Sequence, residues 1–103
     1  MKNLFLALLL TLSASVALAK DLVIVGATWC SPCTQLKNFI NNNKDQIKFN
    51  IVQVDIDKDK ETAQRLKVTK VPTSFIFDDD GKLLSRRTGY SSSSYKKWLE
   101  TYE

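Results

Sequence analysis

The two cysteines of the chain stand two residues apart, in Trp29-Cys30-Ser31-Pro32-Cys33. The apolar run Leu22 to Gly26 precedes them and reads as a buried strand. Leu36, Phe39 and Ile40 follow at i, i+3, i+4, the spacing of one helix face. A chain with this pattern must carry a cysteine pair on a strand-to-helix turn. There the first sulfur meets unpaired backbone N–H groups and the positive end of the helix dipole. That setting lowers a thiol pKa from about 8.5 to roughly 3.5–7.5 and makes a thiolate at neutral pH. Pro32 suits the first helical turn, where it has no N–H to lose.

Two other uses of the cysteines compete with a redox dithiol. A structural disulfide across two residues closes a very small loop, and stabilisation by loop closure grows with loop length, so it would staple little. A zinc site needs four ligands of the usual types. With no histidine and no second cysteine pair, one chain cannot supply them, which leaves only half of an intermolecular metal site. The redox dithiol is the favoured reading, and no metal is expected within one chain.

Residues 1–19 read as a cleaved secretory signal. Lys2 and Asn3 form a positive start, Leu4 to Leu12 an apolar core, and Ala17-Leu18-Ala19 an A-x-A cleavage pattern. The apolar run is short for a membrane span, which needs about 20 residues. An uncleaved anchor and a core helix are the alternatives. No cysteine stands at the cleavage site, which argues against a lipid anchor. Removing 19 of the 103 residues leaves 84, residues 20–103, enough for one domain with a modest core. The product would be periplasmic or secreted, without stable membrane insertion, in a compartment that permits disulfides.

Of the 15 basic and 11 acidic residues only Lys2 is lost, so the net charge falls from +4 to +3. Acids and bases interleave, as in Asp55-Ile56-Asp57-Lys58-Asp59-Lys60-Glu61, a solvated pattern. No basic stripe with interleaved aromatics occurs, so nucleic acid is not an expected partner.

The remaining elements alternate. Asp21 to Ala27 is a strand apolar on both faces, hence central. The helix from about Pro32 meets the weak helix formers Asn41-Asn42-Asn43 and ends there or by Gln46. Lys48 to Ile56 is a second strand, with Phe49 and Ile51 on one face and Val52, Val54 and Ile56 on the other. Asp57, Asp59 and Glu61 signal a helix start, and that short helix turns Ala63 and Leu66 inward. Thr73 to Phe77 and Leu83 to Thr88 are strands joined by Asp80-Gly81, a tight-turn signal for an antiparallel hairpin. Tyr95, Trp98, Leu99 and Tyr102 mark a final amphipathic helix, with Ser92 or Ser93 as its N-cap. The order βαβαββα gives an α/β fold, a four-stranded mixed sheet with helices on both faces.

Trp29-Cys30-Ser31-Pro32-Cys33 resembles the Trp-Cys-x-Pro-Cys site of the thioredoxin family. Val71-Pro72-Thr73 resembles that family's cis-proline segment. Asp55-Ile56-Asp57, Asp80-Gly81-Lys82 and Gly89 match its second strand end, its hairpin turn and the glycine after its last strand. The resemblance spans Asp21 to Glu103 and implies a thioredoxin-like fold. It also implies a monomeric thiol–disulfide oxidoreductase with no cofactor beyond a redox-active disulfide. Partners would be cysteine-containing protein substrates and a membrane or soluble thiol–disulfide electron donor. Cys30 would attack a substrate disulfide as thiolate, and Cys33, expected to be the more buried, would resolve the mixed disulfide. Ser31 would offer the thiolate a hydroxyl or N–H, or be merely a tolerated small residue. Trp29 would shield the site or be an ordinary core aromatic. The resemblance makes Val71, Pro72, Thr73 and Gly89 the substrate-binding residues: a cis bond before Pro72 would turn the Val71 backbone toward the cysteines to pair with an extended substrate, and Gly89 would admit the neighbouring loop by lacking a Cβ.

Two departures from the family pattern stand out. The processed chain would begin almost at the strand leading to the cysteines, like a trimmed, glutaredoxin-sized member. Ile24 and Gln53 occupy the positions of the family's buried Asp and its Lys partner, which leaves the proton acceptor for Cys33 unassigned. A disulfide-donating oxidant, a non-catalytic docking module and a redox-inert secreted domain are the alternative functions.

Overall fold

The computed structural model describes residues 20–103; the expected signal peptide, residues 1–19, lies outside the described residues. Four strands form one sheet in the order β2-β1-β3-β4: β1 Asp21–Gly26, β2 Asn50–Asp55, β3 Thr73–Phe77 and β4 Leu83–Thr88. β1 pairs parallel with β2 and antiparallel with β3, and β3 pairs antiparallel with β4. The strand apolar on both faces is therefore central, as its composition requires. Three helices, α1 Ser31–Asn42, α2 Lys60–Arg65 and α3 Ser92–Tyr102, complete βαβαββα.

Alternation along β1 divides the core. Leu22 and Ile24 face α1 and α3, where Leu36, Ile40, Ile76, Tyr95 and Leu99 are buried with them. Val25 faces the other way, with Phe75 and Ala63 of α2. Each such apolar side chain, fully buried, contributes roughly 1.5–3 kcal/mol. Tyr95 is wholly buried and touches Phe39 and Trp98, with ring centroids 5.9 and 5.3 Å away. Its hydroxyl donates to Ser74 Oγ at 2.8 Å, and burial pushes its pKa up to about 12.

The ends of elements differ in detail from the sequence reading. Helix α1 stops at the asparagine run: Asn43 caps it, and its side-chain amide donates to the Phe39 carbonyl at 2.8 Å. Strand β2 is shorter than Lys48–Ile56, and Val52 on its outer part stays 45% exposed because β2 is an edge of the described sheet. The N-cap of α3 is Ser91 rather than Ser92 or Ser93. Its carbonyl accepts the Tyr95 N–H at 2.8 Å, while its hydroxyl makes no capping bond, so packing of Tyr95 and Leu99 fixes the start of the helix. In the hairpin, Gly81 takes φ +84°, and its N–H donates to Asp78 at 3.0 Å. The Asp78 carboxylate accepts the N–H groups of Asp80 and Lys82, so three aspartates and one glycine build the turn. No helix among the described residues is long and apolar enough to cross a membrane.

Candidate redox active site

Cys30 and Cys33 are joined as a disulfide with Cα atoms 5.2 Å apart. Cys30 is the N-cap of α1, in extended conformation, and its sulfur accepts the Cys33 N–H at 3.2 Å. This is the role a capping side chain plays for the unpaired N–H groups of a helix start. Ser31 and Pro32 follow in the first turn, both exposed. The N–H that reaches the Cys30 sulfur thus comes from Cys33 and not from Ser31. Thr34 anchors the turn, with its N–H and hydroxyl both donating to the Cys30 carbonyl, at 3.1 and 3.3 Å.

The exposure of the two cysteines reverses the expectation. Cys30 is 6% exposed, whereas Cys33 is half-buried. Cys30 Sγ lies 3.6 Å from the Val71 carbonyl oxygen, under the loop that enters β3. This is a contact and not a hydrogen bond, because a disulfide sulfur has no proton to donate. Cys33 faces Gly26, where an added Cβ would lie 3.4 Å from its sulfur. With no side chain at Gly26, a cavity of about 380 Å³ extends from Cys33 to Thr34 and Lys37 of α1 and to Gln53 and Asp55 of β2. Ile24 also lines it and pairs with Gln53 across β1 and β2, so these two residues do stand together near Cys33. Asp55 borders the same cavity, whereas the Lys70 carbonyl accepts a bond at the β3 loop.

The Val71–Pro72 peptide bond is cis. Thr73 is fully buried, and its hydroxyl donates to the Lys70 carbonyl at 2.6 Å, so its side chain braces the loop and is not open to a substrate. Gly89 donates its N–H to the Pro72 carbonyl at 2.7 Å. A Cβ there would meet nothing within 4 Å; glycine is required instead by φ +89°. Trp29 is no core aromatic. It is 69% exposed, and its indole N–H donates to Asp57 Oδ2 at 2.8 Å. Sequence reasoning took Asp57 for solvated surface and missed this partner; only its position just past β2 hinted at it. Gly26 was likewise read as the end of a strand, with no sign that it opens space beside a sulfur.

A dithiol at a helix N-terminus, beside a cis-proline loop, can exchange disulfides. The family model described as a thioredoxin-like domain matches residues 16–103. The chain belongs to the thioredoxin family. It is 31% identical to thioredoxin-1 of Saccharomyces cerevisiae over 85 residues, covering 79% of this chain and 82% of that protein. It is 29% identical to thioredoxin 1 of Plasmodium falciparum over 91 residues, covering 85% and 86%. Among solved structures, Fasciola hepatica thioredoxin superposes with a TM-score of 0.76 at 24% identity, covering 92% of this chain and 91% of its own. The fold is that of thioredoxins, and the Cys30–Cys33 pair makes this family member a thiol–disulfide oxidoreductase.

Proposed function

We propose that this thioredoxin-like protein is exported and reduces disulfides in exported proteins, with Cys30 as the attacking thiolate and Cys33 as the resolving thiol. The observation that carries the reading is the Cys33 N–H held on the Cys30 sulfur at the N-cap of α1. A thiolate there gains a charge-assisted hydrogen bond and the helix dipole, and among the described residues no N–H is donated to the Cys33 sulfur. Burial of oxidised Cys30 does not remove this advantage. Val71 stands beside the same sulfur, so its backbone groups would pair with an extended substrate around the disulfide under attack. The open space at Gly89 would leave room for that segment. The signal-like pattern of residues 1–19 supports export, and a membrane or soluble dithiol donor would return electrons.

The chemistry needs only the disulfide itself as redox group. Cys30 thiolate displaces one substrate sulfur, which leaves as thiolate, and Cys33 then attacks the Cys30 sulfur and releases the second. The test is insulin reduction. Cys30→Ser should abolish it, and Cys33→Ser should accumulate mixed disulfides on Cys30. Mixed disulfides that collect on Cys33 in Cys30→Ser instead would overturn the assignment. A glutathione titration of the same preparation separates a reductant, with a midpoint of about −270 mV, from an oxidant at about −120 mV.

A further inference from the structure

We propose that Arg86 of β4 is a positioning residue for protein substrates: it clasps the two carbonyls at the end of α2 and so sets the Val71 backbone beside Cys30. The proposal rests on the redox reading above and adds to it the group that holds the substrate-pairing loop.

The loop runs from Leu66, the C-cap of α2, to Pro72. It begins in a conformation that its sequence disfavours. Lys67 takes φ +57°, in the left-handed region where glycine is the usual residue. The helix is closed around it, with the Lys67 N–H on the Gln64 carbonyl and the Val68 N–H on the Ala63 carbonyl, both at 3.0 Å. A lysine in that conformation persists only where its surroundings hold it. Arg86 supplies the hold. Its Nη1 donates to the Leu66 carbonyl at 3.0 Å and its Nη2 to the Lys67 carbonyl at 2.9 Å. Its guanidinium carbon lies 5.2 Å from the centre of the Phe75 ring, which keeps the planar fork in place.

Strand β4 reaches the loop twice. Arg86 holds its start. The Gly89 N–H holds its end, donating to the Pro72 carbonyl at 2.7 Å. Between them the Thr73 hydroxyl donates to the Lys70 carbonyl at 2.6 Å. Val71 stands between these last two pins, with its carbonyl oxygen 3.6 Å from Cys30 Sγ. Gly89 acts through its backbone and Thr73 is fully buried, so of the three pins only Arg86 is an exposed side chain.

Val68 and Val71 also pack on the cluster of Val25, Ala63 and Phe75. Apolar packing is non-directional, so it holds the loop down and leaves the tilt of its backbone open. Hydrogen bonds to carbonyls are directional and fix that tilt. An extended substrate that pairs with Val71 depends on it, because strand pairing aligns N–H and C=O groups on both partners. A small disulfide that reaches Cys30 without pairing does not.

The test compares two disulfides on the full chain. Insulin reduction under dithiothreitol gives KM and kcat, and reaction of the reduced chain with 5,5′-dithiobis(2-nitrobenzoate) reports Cys30 without strand pairing. Arg86→Gln removes the charged fork. It should raise the insulin KM about three- to tenfold with kcat nearly unchanged, while the small disulfide reacts within about twofold of the wild-type rate. Arg86→Lys keeps the charge and donates to one carbonyl at a time, so it should recover part of the loss. Leu99→Val trims the core on the other face of the sheet and should lower stability without moving the insulin KM. An insulin KM that stays at the wild-type value in Arg86→Gln, an equal loss toward both disulfides, or a KM that rises as far in Leu99→Val overturns the proposal and leaves the disulfide-exchange reading intact. If Arg86→Gln does not fold, Arg86→Lys carries the same comparison, and a wild-type KM there overturns the proposal. A wild-type chain that reduces neither disulfide overturns the redox reading, and this one with it.

Discussion

The Cys30 sulfur is enclosed by the Cys33 N–H and the Val71 carbonyl, whereas the Cys33 sulfur faces Gly26 and open space beyond it. The two ends of one bond thus differ in what they are given. Stabilisation of charge goes to Cys30, because the N–H groups that supply it exist only at the helix start. The cavity borders Cys33, because β1 ends in a residue without a side chain there. A thiolate that is both stabilised and freely solvated would gain less, since water competes with the N–H and screens the dipole. Placing the two properties on different sulfurs avoids that loss.

The strongest way to disturb this contrast is a charge on the Cys33 side. Ile24 is 7% exposed and faces Gln53 beside the cavity. Ile24→Asp removes a buried apolar side chain and sets a carboxylate where burial disfavours its charged form. The domain should lose about 2–5 kcal/mol at neutral pH. The sign follows from the raised folded pKa of the new Asp. Its neutral form is the favoured one, so part of the loss should be recovered as pH falls toward its unfolded value of about 4. A carboxylate of raised pKa can accept a proton near neutrality. Release of product from the Cys30 mixed disulfide should then quicken at pH 7, while in the wild type it should rise with pH until Cys33 itself ionises. Urea denaturation and single-turnover release check the two halves. An unchanged release rate in a folded variant would mean that the Cys33 proton does not leave by the cavity.

The element order, the central first strand, the β3–β4 hairpin, the three helices and both cysteines were legible in the sequence because each rests on a local signal. The apolar run of β1, the Asp80-Gly81 turn and the spacing of Tyr95, Trp98 and Leu99 are properties of neighbours in the chain. The environment of each sulfur is not. Cys30 touches Val71, 41 residues away, and Cys33 shares its cavity with Gly26 and with Gln53 and Asp55 of β2. The roles of Thr73 and Gly89 were misread for a related reason. A motif places them near the site, but only the backbone shows that Thr73 braces Lys70 and that Gly89 serves a positive φ. Asp57 went unnoticed because its partner, Trp29, lies 28 residues earlier.

A second test acts on the helix that carries both sulfurs. Tyr95 packs on Phe39 of α1, and its pKa is pushed up to about 12 by burial, against an ordinary value of 10.0. The neutral phenol is therefore favoured in the fold. Its contribution is complete below pH 10 and is lost as pH rises toward 12, a change of at most about 3 kcal/mol. Tyr95→Phe should abolish that part of the alkaline loss. At pH 7 it should cost about 1–3 kcal/mol, because Ser74, fully buried, loses its hydroxyl partner. Thermal unfolding from pH 7 to 11 in both proteins measures the difference. Equal alkaline slopes would show that other groups govern it and that Tyr95 does not tie α1 to the sheet through its neutral form.

The smallest expected effect lies at the rim. Trp29 and Asp57 are both exposed and share one hydrogen bond of 2.8 Å, so water replaces either partner easily. Trp29→Phe keeps a ring and removes the bond, and stability should fall by less than about 1 kcal/mol. The groups that enclose Cys30 do not include the indole N–H. Alkylation of reduced Cys30 should therefore change by less than about fivefold, the factor that ~1 kcal/mol represents. A protein substrate that binds over Cys30 is expected to meet the neighbouring exposed ring, whose orientation the Asp57 bond restrains. Insulin reduction should fall more than alkylation rises, and Asp57→Asn, which retains an acceptor oxygen, should lose less than Asp57→Ala. A tenfold or greater rise in Cys30 alkylation in Trp29→Phe would assign the enclosure of that sulfur to the tryptophan and not to the Val71 loop. The contrast between the two sulfurs would then be a property of one exposed side chain, and it would vanish wherever that side chain moves.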